Sequence, residues 1–359
     1  MTTRRFAEGS LRTFAEAVLM HAGASPEAAA IVASTLLDAD RRGVHTHGLV
    51  RLPSYREDVA SGRVAVDAKP RLVHGAGAVA VVDGGGGFGA VTAVAGMDEA
   101  IARAEQHGVG LVVTRGGNHF GAAAFYALRA VERGLIGIAA TSTPAVMAPW
   151  GGAEARIGNN PVAIAAPAGE GVPPFVLDFA QSAASRGRIK LAEVAGEQIP
   201  TGWALDSGGR PTTDPTRALA GALLPFGGYK ASGLALAVEL LTGVLAGGEL
   251  GPELINSSLT GSASSGSATR VGTVGSLYIA VDPGPLVGRA EFAERVTRLL
   301  GMIKDTPPGE GFAEVVVPGE LETREVEAAR RDGIELGDGT VAALRELGAD
   351  EAVVFPDPV

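Results

Sequence analysis

Gly84-Gly85-Gly86-Gly87-Phe88-Gly89 follows a strand-like run, Ala78–Val82, and leads into a helical pattern over Ala90–Glu105. Whether this tract is a phosphate loop decides the fold. It matches the spacing G-x-G-x-x-G, and such a turn could bring a pyrophosphate onto a helix N-terminus, as in doubly wound dinucleotide-binding sheets. That fingerprint also asks for an acidic residue at the end of the next strand, roughly 20 residues on. The next strand-like run, Gly110–Thr114, ends in Arg115 instead. An arginine there could hold a 2′-phosphate, but a tract so rich in glycine meets the pattern without needing its function. The reading adopted is a plain glycine-rich turn, with the phosphate loop as its alternative.

Upstream of the tract, residues 10–22 and 25–42 read as amphipathic helices. The second has Ser25 as N-cap, Pro26 in its first turn and an apolar series through Ile31, Val32, Leu36 and Leu37. A further helical pattern covers 50–63 around Tyr55 and Val59. Downstream come short Val-rich runs at Gly110–Val113, Ile136–Ala140, Val162–Ala166 and Phe175–Leu177, with a helical pattern at Ala122–Arg133. This alternation predicts an α/β fold with a substantial mixed sheet. Residues 231–247 form a strongly apolar helix that needs full cover, and 286–303 form another. Shorter helical patterns lie at 323–332 and 340–347. The Gly- and Ser-rich tract 255–273 reads as a flexible loop. No internal repeat of fixed period is present.

Composition excludes several functions. Thirty basic against forty acidic residues give a net charge of -10, which argues against nucleic acid or an anionic membrane as partner. With no cysteine there is no disulfide framework, thiolate zinc site or thiol nucleophile. The N-terminus, Met1-Thr2-Thr3-Arg4-Arg5-Phe6, lacks the apolar run of a signal peptide, and no uncharged apolar run of about 18 residues occurs. A soluble, cytoplasmic globular protein is the expectation.

The chemistry concentrates in Asp38–Pro53. A helical pattern ends at Gly43, and His45, His47 and Arg51 then fall within seven residues. A helix end followed by glycine and a polar turn is suited to aiming side chains into a cleft. A second histidine stretch, Gly117-Asn118-His119-Phe120-Gly121, has glycines that expose the imidazole and an Asn118 that can orient it. His45 and His47 could be two metal ligands, with His119 as a third, but no carboxylate partner stands at ligand spacing. His21, His74 and His107 carry no comparable signal.

These residues, with others, resemble the type-2 malate/L-lactate dehydrogenase family. That family includes sulfolactate, ureidoglycolate and diketogulonate oxidoreductases and a cyclic-ketimine reductase, and its fold is unrelated to the Rossmann-type dehydrogenases. The likeness runs from Arg42-Gly43-Val44, Thr46-His47-Gly48 and Arg51-Leu52-Pro53 through Asn118-His119-Phe120-Gly121 and Ala148-Pro149-Trp150-Gly151-Gly152. It continues in Gly158-Asn159-Asn160-Pro161, Asp178-Phe179-Ala180-Gln181-Ser182, Gly202-Trp203-Ala204-Leu205-Asp206, Gly228-Tyr229-Lys230 and Val317-Pro318-Gly319-Glu320.

The resemblance implies an NAD- or NADP-dependent oxidoreductase moving a hydride between nicotinamide and a small 2-hydroxy or 2-keto acid. The alternative within the family is reduction of a cyclic ketimine 2-carboxylate. It implies His47 or His119 as the acid–base group, with His47 favoured because it shares a turn with Arg51, the carboxylate clamp. It places the cofactor against Ser142, Thr143, Asn160, Asp178, Phe179, Ala180, Lys230, Gly319 and Glu320. It also implies a homodimer and no bound metal. The expected architecture is a non-Rossmann, mixed-sheet nucleotide-binding domain, with helical N- and C-terminal parts packed together. The expected divisions are 1–70, 71–275 and 276–359, the last returning to the N-terminal helices. Two departures stand out. His45 replaces the usual acid, and its charge should depress the pKa of His47 or else alter substrate preference. Gln181 replaces a small hydroxyl residue. Outside the family, a His-metal hydrolase or lyase and a non-catalytic binding protein are the competing readings.

Overall fold

The computed structural model of the chain describes residues 2–254 and 272–359. The flexible loop expected at 255–273 falls almost wholly outside them. A strand the sequence did not announce, β1 (Thr3–Phe6), precedes α1 (Glu8–His21) and α2 (Pro26–Arg41). The Ser25 hydroxyl accepts from the Ala28 N–H at 3.2 Å, and Pro26 opens the helix; such a cap is worth about 1 kcal/mol. Leu11, Phe14 and Val18 on one helix and Val32, Leu36 and Leu37 on the other are buried, the stripe that helical spacing supplies. The chain leaves α2 through Gly43, at φ +73°. Two tight 3₁₀ turns, His45–His47 and Leu49–Arg51, then lead into α3 (Leu52–Ala60).

The central region contains β2 (Arg71–Ala76), β3 (Val79–Asp83), α4 (Gly89–His107), β4 (Val109–Gly117), α5 (Ala124–Val131), β5 (Ile136–Thr141), β6 (Val162–Ala166) and β7 (Phe175–Phe179). Next come α6 (Arg186–Ala195), β8 (Ala204–Leu205), β9 (Pro211–Thr212), α7 (Pro215–Leu219), β10 (Ala222–Leu223) and α8 (Tyr229–Glu239), which runs into a wide turn at Leu240–Val244. The last strand of the main sheet is β11 (Val274–Val281). Seven strands lie in the order β2-β3-β4-β11-β5-β6-β7. Of these neighbours only β3 and β4 run parallel, joined by α4 as the crossover. One parallel pair in an otherwise antiparallel sheet is not a Rossmann sheet.

Because β11 sits between β4 and β5, the boundary expected at 275/276 cuts a central strand. The sheet claims the chain as far as Val281. The remaining elements are α9 (Gly284–Val287), α10 (Arg289–Lys304), α11 (Glu320–Asp332), β12 (Ile334–Gly337) and α12 (Asp338–Asp350). The two ends of the chain do pack together. β1 pairs antiparallel with β12, Phe6 opposite Ile334, and Leu336, Val341, Leu344 and Leu347 complete the core of α1 and α2. The intervening helix α10 stays out of that core, with Leu299, Met302 and Ile303 exposed. The expected helix 231–247 is divided between α8 and the wide turn. Instead of full cover, it leaves Leu236, Leu240, Leu241, Val244 and Leu245 exposed in the single chain. Among the described residues no helix is long and apolar enough to cross a membrane.

Candidate active site

The turn after α2 is held from beneath by Asp40, a buried residue in the last turn of that helix. One carboxylate oxygen accepts the Leu49 N–H at 2.7 Å and the other faces His45 Nδ1 at 3.0 Å. Gly48 makes this possible, since a Cβ there would sit 2.1 Å from the Asp40 carboxylate. Burial draws the ionisation of Asp40 upward, while His45 and the Leu49 N–H pull against it. His45 is thereby turned onto Asp40. It is not among the charges that depress His47, contrary to the expectation from sequence. Nor do three imidazoles gather, and among the described residues no group of three metal-ligating side chains forms.

His47 and Arg51 project from the same turn. The Arg51 Nε–H donates to the Thr46 carbonyl at 2.8 Å, which fixes the stem of the guanidinium. His47 Nδ1 lies 3.0 Å from the Thr46 hydroxyl. Burial, and then the charge of Arg51, lower its pKa to about 4.

His119 reaches the same place from the other side. It follows β4, on a loop packed against the glycine tract. A Cβ on Gly89 would lie 2.1 Å from the Asn118 carbonyl oxygen and 2.4 Å from that of His119. The Asn118 amide donates to the carbonyls of Gly86 and Gly87, at 3.0 and 2.8 Å. Asn118 therefore fixes the loop, not the imidazole, and the glycines serve backbone approach. Arg115, the residue that could have held a 2′-phosphate, is paired with Asp83 at 3.1 Å. The His47 and His119 rings are stacked, 5.7 Å between centroids. On its far side His119 Nδ1 meets the hydroxyl of Tyr55 at 2.7 Å. The residue keeps contact with solvent, yet the surrounding protein, and then the charges of His47 and Arg51, hold its pKa well below that of a free histidine.

Asp178 lies near the end of β7. Its carboxylate accepts the Ala124 N–H at 2.8 Å, at the start of the helix that follows the His119 loop. Surrounding protein raises its pKa to about 6, opposed by that N–H and reinforced by Glu322. Phe179 stacks edge-on to Phe226. Val176 donates to the Pro318 carbonyl at 3.2 Å, which lays the Gly319 turn alongside β7. Lys230 is exposed in the first turn of α8, a helix start with no side-chain cap.

Four other expected residues have partners within the protein. The Ser142 hydroxyl is buried against the Gly275 carbonyl at 3.2 Å. Asn160, buried at φ +28°, ties Thr143 N to the Ala235 carbonyl and Glu239. Glu320 is committed to Lys304 and Arg324, which lower its pKa to about 2. Thr143 spends its hydroxyl on Asn159. Residues that sequence reasoning passed over are Tyr55 and Asp40. Tyr55 stands four places after Arg51, one helical turn on, and that spacing was the available signal.

A family model for malate/L-lactate dehydrogenases matches residues 6–345. The chain belongs to the malate/L-lactate dehydrogenase family. L-sulfolactate dehydrogenase of Methanocaldococcus jannaschii is 39% identical over 330 residues, 92% of each chain. The solved structure of sulfolactate dehydrogenase from that organism gives a TM-score of 0.89 at 37% identity, with 99% of both chains covered. A (2R)-3-sulfolactate dehydrogenase (NADP(+)) of Chromohalobacter salexigens is 43% identical over 239 residues, 67% of this chain and 71% of its own length. A Delta(1)-pyrroline-2-carboxylate/Delta(1)-piperideine-2-carboxylate reductase of Pseudomonas putida is 33% identical over 338 residues, 94% of this chain and 95% of its own. The fold of the family is thus the one seen here, and its members are dehydrogenases and reductases of small carboxylates.

Proposed function

We propose that this family member is an NAD(P)-dependent oxidoreductase of a small 2-hydroxy or 2-keto acid. His47 exchanges the hydroxyl proton, Arg51 grips the carboxylate and His119 donates to the reacting oxygen. The observation that carries this reading is the pairing of two imidazoles, 5.7 Å apart, beside one guanidinium whose charge acts on both. A 2-hydroxy acid presents one carboxylate and one hydroxyl on adjacent carbons, and the turn offers one fork and one base.

The residues fit a dinucleotide cofactor. The uncapped start of α8 with Lys230 in its first turn suits a pyrophosphate or ribose phosphate. Asp178 offers an acceptor to hydroxyl or amide donors. Phe179, Ala180 and Gly319 supply wall and backbone, while Asn160 ties Thr143 to α8 through the Ala235 carbonyl and Glu239. A bound nicotinamide supplies the hydride acceptor or donor.

The chain's own part is proton handling and orientation. At neutral pH His47 is unprotonated and ready to take the hydroxyl proton, because burial and Arg51 keep its pKa near 4. A bound carboxylate offsets the charge of Arg51 and so eases the return of that proton in the reductive direction. The same clamp would take the 2-carboxylate of a cyclic ketimine, the kind of substrate for which the P. putida relative is named.

The test is an absorbance assay of NADH and NADPH oxidation across 2-keto acids, including sulfonated ones, and cyclic imine carboxylates. Turnover of none of them would end this reading. We also propose a homodimer, supported by the uncovered apolar residues Leu240, Leu241, Val244 and Leu245. A monomeric mass by light scattering at micromolar concentration would contradict it.

A further inference from the structure

We infer that Tyr55 locks the tautomer of His119, making it a fixed hydrogen-bond donor toward the cleft and leaving proton exchange to His47. The roles rest on the function proposed above; the lock itself does not. Tyr55 is buried, 7% exposed, and its hydroxyl lies 2.7 Å from His119 Nδ1. A buried hydroxyl has to place its proton on an acceptor. Burial keeps this phenol protonated well beyond its ordinary range, with Arg51 opposing and Asp58 assisting. The imidazole opposite is held neutral, so it carries one N–H and one bare nitrogen.

Two arrangements satisfy a 2.7 Å contact. In one, the phenol donates to Nδ1 and the ring proton sits on Nε2. In the other, Nδ1–H donates to the phenol, whose own proton must then find another acceptor. Beside Tyr55 there is only a small cavity of about 10 Å³, lined mainly by Val32, Val64, Phe88 and Ala90 with Asp58 and Asn118. That is room for at most about one water molecule. Among the described residues, the hydrogen-bond partner of the Tyr55 hydroxyl is His119 Nδ1. The first arrangement therefore satisfies both groups without help.

His47 differs in kind. Its Nδ1 partner is the Thr46 hydroxyl, which is exposed and can donate or accept while water serves its other needs. Either tautomer of His47 is accommodated, and a group that must present a bare nitrogen at one moment and a proton at the next needs that freedom. His119, with Nε2–H facing the cleft, is suited to stabilise charge that develops on the substrate oxygen.

The experiment is long-range ¹H–¹⁵N spectroscopy of the free, full-length protein labelled with ¹⁵N-histidine, with His119→Gln to assign the His119 signals. The expected wild-type pattern is an Nε2–H tautomer whose Nδ1 is a hydrogen-bonded acceptor. Tyr55→Phe should shift the pattern toward a mixture of tautomers, with kcat lower by on the order of tenfold and KM little changed. A wild-type His119 with its proton on Nδ1, or a Tyr55→Phe spectrum identical to wild type, overturns the inference. The wild-type spectrum needs no substrate. An inactive protein with the Nε2–H pattern would sink the proposed function and leave the lock standing, and an active one with Nδ1–H would do the reverse.

Discussion

The two histidine-bearing segments reach one cleft by different physics. The His47 turn is tied down by side chains: Asp40 takes the Leu49 N–H and faces His45, and Arg51 donates to Thr46. The His119 loop is fixed by the Asn118 amide, which donates to the carbonyls of Gly86 and Gly87, and by backbone packed on backbone at Gly89. A turn held by hydrogen bonds to titratable groups can respond to charge. A loop wedged between carbonyls and a buried phenol cannot. The same side chain is therefore suited to two tasks, a mobile proton on one segment and a fixed dipole on the other.

The largest expected effect separates these tasks. His47→Ala should lower kcat by about two to four orders of magnitude, the range for a positioned acid–base group, and should remove the acid limb of the pH profile. In wild type that limb, read from kcat/KM for hydroxy-acid oxidation, should lie near pH 4 and not near 6.5, because the base must be neutral and its pKa is depressed to about 4. His119→Ala should cost about 100-fold, as loss of one donor to a developing oxyanion does, and keep the limb. His119→Gln, which retains an N–H donor, should recover part of that loss. A His47→Ala enzyme with wild-type kcat, beside a dead His119→Ala, would exchange the two roles.

Arg51→Lys comes next. The charge survives but the two-pronged fork does not, so KM for the acid should rise by about tenfold or more, with a smaller fall in kcat. Steady-state kinetics on the best 2-keto acid decide it. An unchanged KM would remove Arg51 from the carboxylate site.

Gly89→Ala tests the wedge. The added Cβ would meet two carbonyl oxygens at 2.1 and 2.4 Å, so α4 or the His119 loop must move. Overpacking of this kind costs about 1–3 kcal/mol, readable as a lower denaturation midpoint. Activity should fall with it, since the shift is delivered to His119. A stable, fully active variant would show that the loop is held by something other than the glycine tract.

How much of this was legible follows from where each signal lies in the chain. The turn at 43–51 could be read because Gly43 stops a long amphipathic pattern and three chemically capable side chains follow within a few residues. The Val-rich runs gave five of the seven main strands for the same local reason. β11 was missed although its apolar residues run nearly unbroken, as those of a central strand do. It follows directly on the Gly/Ser-rich tract, and nothing local says that a strand this late inserts between β4 and β5. The short pairs β1–β12 and β8–β9–β10 carry too few residues for any period to show. Asn160 and Glu320 were legible as part of a motif but not as side chains committed to buried or ion-paired networks, because their partners lie up to 79 residues away in the case of Asn160. Asp40 left no local trace, since its meaning depends on a glycine eight places on having no side chain.

The smallest expected effect sharpens the comparison at His45, the residue that faces Asp40 from the turn's open side. His45 is 53% exposed and Asp40 keeps its bond to Leu49 without it, so His45→Gln should cost less than about 1 kcal/mol of stability. Its pH dependence is more telling than its size. The hydrogen bond to Asp40 raises the pKa of His45 in the folded protein; burial opposes this, and the charges of Asp40, Glu335 and Glu325 add to it. A group raised on folding lends stability that is fully present below its unfolded value, about 6.5 for histidine, and is lost as pH rises through the folded value. The stability gap between wild type and His45→Gln, taken from urea midpoints, should therefore be largest near pH 6 and close by pH 9. Arg51 and the His47 turn should keep their kinetics on both sides of that change, because Leu49 stays tied to Asp40 throughout. A gap that widens with pH, or a kcat that follows it, would mean that the side-chain tether, and not the buried carboxylate beneath it, holds the turn in place.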